Sequence, residues 1–204
     1  MKKIYFALLF ALLSGLLSWN KASGQCDVCP QPNLCYIISF DLPNCPGVQA
    51  VICYTCAVTH LEAYFEIYLR NVCAGMEDEA YEYARRWVLE NFALLCGNTP
   101  CHIRRTLITF TRPICGRVEV VDGRINIYKG EGECYKQCIE VWEWCWCVCD
   151  PAVCWESECE EPNQPQLHWQ LVGYTTEGEG NCSSLPYPPS QDCTLIKWRE
   201  CGEN

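Results

Sequence analysis

Chemistry would first be sought at two cysteine pairs spaced Cys-x-x-Cys: Cys26 with Cys29, and Cys53 with Cys56. The second pair is the sharper. Val48 to Ile52 is a short β run, and a helix signal follows Cys56. Strand, Cys-x-x-Cys, helix N-terminus is how a thiol–disulfide oxidoreductase lowers the pKa of its attacking thiol. Cys53 would be the nucleophile and Cys56 the resolving cysteine. Two features oppose this. A second helix is expected after the first, where a thioredoxin-type fold needs a strand. Eighteen other cysteines also make a chance Cys-x-x-Cys common. The two pairs resemble paired zinc knuckles, but the 23 residues between Cys29 and Cys53 exceed the usual ~15–20. Neither pair is followed by His, which excludes covalent haem attachment through that motif.

Other constellations carry less. Cys145, Cys147 and Cys149 alternate along a strand pattern. A soft-metal thiolate cluster is one reading. Sulfurs at i and i+2 stand ~6.5–7 Å apart, at the edge of bridging range, so separate partners on neighbouring segments are expected instead. Trp142, Trp144 and Trp146 share one face of the same run. Exposed, they would stack on sugar rings; buried, they would form the layer between sheet and helices, which is the better reading because large exposed apolar patches are uncommon. The histidines are His60, His102 and His168, and no G-x-S-x-G or H-E-x-x-H occurs, so hydrolytic catalysis has little support. Glu140 with Glu143 is a carboxylate pair of a kind common in an acidic chain. Glu156, Glu158 and Glu160 lack the Asp/Asn/Gly loop of a calcium site. Asn181-Cys182-Ser183 fits a glycosylation sequon weakly. No metal or cofactor is expected.

The start of the chain sets the compartment. Lys2 and Lys3 precede an apolar run, Ile4 to Leu17, and Ala22-Ser23-Gly24 supplies small residues for cleavage. This pattern predicts a secretory signal over residues 1–24. The run is shorter than the ~20 residues of a spanning helix, so no membrane span is expected in the mature chain. Gln25 stands where a lipid anchor on Cys26 would want a small residue. Removing 24 of 204 residues leaves 180, and the loss of Lys2, Lys3 and Lys21 takes the net charge from −10 to −13. That charge argues against nucleic-acid partners. All twenty cysteines fall after the signal: Cys26, Cys29, Cys35, Cys45, Cys53, Cys56, Cys73, Cys96, Cys101, Cys115, Cys134, Cys138, Cys145, Cys147, Cys149, Cys154, Cys159, Cys182, Cys193 and Cys201. In an oxidising compartment they are expected to form disulfides.

The elements follow from period and punctuation. Residues 25–55 are a Cys- and Pro-rich segment with β candidates at Cys35–Phe40 and Val48–Ile52. Within 56–97 a helical hairpin is expected. Thr59 and Glu62 match a capping box, and Leu61, Phe65, Tyr68 and Val72 follow at helical spacing. Glu77, Asp78 and Glu79 open the second helix, Ala80, Ala84, Trp87, Asn91 and Leu94 trace its stripe, widened by Tyr83, Val88 and Leu95, and Gly97 and Pro100 end it. Residues 98–174 read as antiparallel strands. Asp122-Gly123 between alternating runs predicts a two-residue hairpin pairing Val121 with Arg124, Val120 with Ile125 and Val118 with Ile127. Cys134–Cys149 and Leu167–Tyr174 are further strands, and 175–204 is a tail pinned by Cys182, Cys193 and Cys201.

The expected fold is α+β and disulfide-rich: one domain over 25–204, a helical hairpin packed on an antiparallel sheet. The expected function is a secreted, extracellular or periplasmic, non-catalytic structural, adhesive or filament-forming protein. Its expected partners are itself, other extracellular proteins or glycans. The alternatives are the oxidoreductase of Cys53 and Cys56 and a carbohydrate-binding module built on the tryptophans.

Overall fold

A computed structural model describes residues 26–57, 61–98, 100, 105–148, 165–180, 182, 191–196 and 200–202. The predicted signal, the capping residue Thr59, the Glu156–Glu160 run and Asn181 lie outside them.

The chain runs β1 (Leu34–Leu42), β2 (Cys45–Cys56), β3 (Glu62–Arg70), β4 (Val72–Cys73), α1 (Glu77–Cys96), β5 (Thr106–Val121), β6 (Arg124–Lys129), a 3-10 turn (Gly132–Cys134), β7 (Lys136–Val148), β8 (Pro165–Glu177) and β9 (Gln191–Leu195). The class is α+β, mostly sheet, with one helix among the described residues.

The helical hairpin is the main correction. Residues 62–70, expected as its first helix, form β3. The segment Glu62-Ala-Tyr-Phe-Glu-Ile-Tyr-Leu-Arg70 also reads at period 2: Ala63, Phe65, Ile67 and Leu69 are buried on one face. Its β-branched and aromatic residues suit a pleated surface. Pairing on both sides, antiparallel to β2 and parallel to β5, decides between the two periods. The parallel β3–β5 pair also corrects the antiparallel sheet to a mixed one. A parallel neighbour needs a crossover, and α1 lies within it.

The sheet is centred on β5, whose sixteen residues serve two neighbourhoods. Its first half lies between β3 and β7, and its second half between β6 and β9. A register shift at Pro113/Cys115 marks the change. The Asp122-Gly123 hairpin has the predicted register, with both central φ values positive (51° and 75°) as a type I′ turn requires. The sheet curls about the helix. Leu42 of β1 and Leu171 of β8 both line one cleft with the outward residues of α1.

Helix α1 begins and ends where its signals place it, and Gly97 closes it at φ 89°. Its buried stripe is rotated from the expected one. Ala80, Ala84 and Val88 are buried as expected, but Tyr81 and Phe92 join them against the sheet, whereas Tyr83 and Leu94 are exposed. Phe92 packs between Phe65 and Trp144, with ring centroids at 6.1 and 4.7 Å, and Phe65 stacks on Phe110 at 5.5 Å.

Seven disulfides join described residues: Cys26–Cys35, Cys29–Cys53, Cys45–Cys73, Cys56–Cys96, Cys115–Cys182, Cys134–Cys193 and Cys138–Cys201. Cys145 is also disulfide-bonded, and no free cysteine occurs among the described residues. Cys101, Cys149, Cys154, Cys159 and the side chain of Cys147 lie outside the description.

Candidate functional site

Cys53 and Cys56 both belong to β2. Residues three apart on a strand point to opposite faces, so the pleat separates the two sulfurs. Cys53 is buried on the face away from the helix and bonded to Cys29. Cys56 is bonded to Cys96 at the last residue of α1. The next described element is β3, and among the described residues no helix N-terminus follows either sulfur. The exchange pair expected from the spacing is not brought together. Cys26 and Cys29 are likewise split between Cys35 and Cys53. Among the described residues no group of three or more metal-ligating side chains forms a cluster.

The tryptophan stripe lies on the helix face of β7. Trp144 is 0% exposed and Trp142 4%. The Trp144 indole N–H donates to the carbonyl of Leu89 at 2.8 Å, satisfying the one polar atom that burial would strand. Trp146 is half-buried against the same core. Trp142, Trp144 and Trp146 pair in register with Leu171, Trp169 and Leu167 of β8. Two of the three rings therefore form the layer between sheet and helix, and Trp146 alone of the three retains substantial surface.

Beside that layer lies a buried ionic group centred on Glu140, which the sequence offers only as half of a common carboxylate pair. Glu140 is 1% exposed on the helix face of β7. Its Oε2 accepts from Arg85 Nη1 at 2.8 Å and from the Trp142 indole at 3.4 Å. Arg112 of β5 approaches Oε1 at 3.6 Å and Asp78 at 3.7 Å, and donates to the carbonyl of Glu200 at 3.1 Å. The Arg85 guanidinium lies 4.4 Å above the Trp142 ring, and Arg112 lies 5.4 Å from the Tyr81 ring. Burial, reinforced by Glu140, raises the Tyr81 phenol far above its ordinary range. Burial also raises Glu82, against the opposing pull of Arg85. One signal for Glu140 was present: a carboxylate interrupts an otherwise apolar face, between Cys138 and Trp142. Its guanidinium partners come from residues 55 and 28 positions earlier, and only the fold brings them together.

A cleft of about 840 Å³ opens beside this group, lined by Glu79, Arg85, Trp142, Trp169 and Gln170 among others. Arg85 occupies the face of Trp142, so the cleft presents a guanidinium where a stacking platform would need a bare ring. On the other sheet face a cleft of about 1000 Å³ is lined by Tyr68, Arg117, Glu119 and Tyr128. Its charges are largely paired: Arg117 with Glu119 at 3.4 Å and, beside it, Lys129 with Glu66 at 2.9 Å. Burial raises the Tyr68 phenol there, helped by its 2.9 Å bond to Glu66.

No family model matches the chain, and no curated protein or solved structure matches it significantly. The seven disulfides fit an extracellular disulfide-rich protein. Among the described residues no helix is long and apolar enough to cross a membrane.

Proposed function

We propose that this is a secreted, non-catalytic structural or adhesive component that works at a surface or in an assembly outside the cell. The observation that supports it most is the fate of Cys53 and Cys56, the sharper of the two pairs spaced for redox chemistry. Cys53 ties β2 to the N-terminal segment, and Cys56 ties β2 to the helix. Both sulfurs serve as cross-links between layers. Three buried charges serve in the same way: Glu140, Arg85 and Arg112 join helix to sheet. Partners of such a protein are copies of itself, other extracellular proteins or glycans.

The test pairs a turnover assay with surface localisation. The oxidised full chain is incubated with a disulfide-bonded substrate and glutathione, and producing cells are labelled from outside. No catalysed reduction, together with label on the oxidised chain, supports the reading. Turnover that disappears in Cys53→Ser overturns it in favour of the oxidoreductase.

A further inference from the structure

We infer that the edge strand β1 is a docking edge for a second copy of this chain, joining two sheets antiparallel about a two-fold axis. The inference rests on the assembling role proposed above and names the surface that performs it. β1 pairs only with β2, and no hydrogen bond to its outer side forms among the described residues. Natural sheets blunt such edges with Lys, Pro, bulges or very short strands. From Leu34 to Phe40, β1 has seven residues in unbroken register, Leu-Cys-Tyr-Ile-Ile-Ser-Phe, with no charge and no proline. Its bulge and its one acid, Asp41, come only after Phe40. The opposite edge, β8, is protected: a bulge at Val141/Trp142 interrupts its register, and the Cys201-Gly202 turn sits against Tyr174.

A second observation points to the same edge. The exposed apolar side chains of α1 overhang β1. Tyr36 stacks on Trp87 at 5.2 Å and Phe40 on Tyr83 at 4.1 Å. Helix and strand therefore run in opposite directions, and Leu94, two turns beyond Trp87 on that stripe, extends toward Leu34. Leu94 is 68% exposed, Leu34 56%, Tyr83 45% and Tyr36 38%.

The strand is complementary to itself. A two-fold axis at Ile37 sets Leu34 opposite Phe40 and Tyr36 opposite Ile38 on the helix face, with Cys35 opposite Ser39 on the other. No like charges meet, which matters in a chain of net charge −10. The overhanging stripes of the two helices then face each other across the axis. The symmetry closes at two copies, because a two-fold contact uses β1 of both copies at once.

Sedimentation of the oxidised full chain over about 1–200 μM, a span that brackets weak to moderate association, tests this. A reversible dimer of twice the chain mass is expected. Leu34→Lys with Ser39→Lys places two ammonium groups on the edge at exposed positions and is expected to weaken the dimer about 100-fold. Its circular dichroism should match that of the parent. Val172→Lys with Tyr174→Lys on β8 should leave the dimer unchanged. A parent that stays monomeric, an open-ended polymer, or a dimer disrupted by the β8 pair and not by the β1 pair each overturns the inference. A monomer would leave the non-catalytic reading to the turnover assay.

Discussion

Glu140 shows how much a single buried carboxylate commits. Its two oxygens face two guanidiniums and an indole N–H inside the helix–sheet layer. A buried pair of this kind adds little net stability over an apolar packing. Removing one partner, however, leaves unmatched charge and costs ~3–5 kcal/mol. Glu140→Leu is therefore expected to lower the urea-unfolding free energy by about that amount. A cost under ~1 kcal/mol would show that the charges are hydrated. The tyrosines predict the alkaline limit. Burial and Glu177 push Tyr135 from 10.0 up to about 12. Tyr68 and Tyr81 are raised further. The folded state holds these protons more tightly than the unfolded chain. Their contribution is therefore complete below pH 10 and is lost as pH rises toward about 12 and beyond. The melting temperature should fall above pH 10, in step with tyrosinate absorbance.

At the scale of elements, β5 is the member on which the others depend. Gly116 lies where β5 is flanked by Lys129 of β6 and Thr194 of β9. An added Cβ there would stand 2.3 Å from the carbonyl oxygen of Tyr128, a backbone atom that cannot swing away. Gly116→Ala is expected to cost more than Gly123→Ala. At Gly123 the surroundings are open and only the positive φ of 75° is strained, at ~1–2 kcal/mol. Equilibrium unfolding of both variants checks the order. The hairpin around Gly123 was legible because Asp-Gly and the two alternating runs agree on one register. β3 was not. Its residues satisfy both periods, and isolated periodicity cannot register that β2 and β5 stand on either side. The rotated stripe of α1 has the same origin. Apolar residues nearly encircle the helix, and the curled sheet decides which of them are covered.

For the molecule as a whole, the disulfides act over long spans. Cys56–Cys96 joins residues 40 positions apart and fastens the C-terminal end of the helix to β2. Replacing both cysteines by Ser is expected to cost ~2–4 kcal/mol and to expose Trp144, read as a red shift of its fluorescence. Full reduction should unfold the chain, because six of the seven bridges join residues 24 or more positions apart, Cys26–Cys35 alone being local. Composition and local order alone determined that the protein is cysteine-rich and acidic, where α1 starts and stops, the hairpin register, and which residues of β7 share a face. These are properties of neighbours along the chain, set by dihedral preference and the period of the side chains. Only the tertiary structure decided that 62–70 is a strand, that Cys53 and Cys56 point apart, that Glu140 meets Arg85 and Arg112, and that β1 pairs on one side only among the described residues. Each of those depends on segments tens of residues apart meeting in space. Burial and pairing energy at those meetings outweigh the small local preferences that a linear reading can weigh.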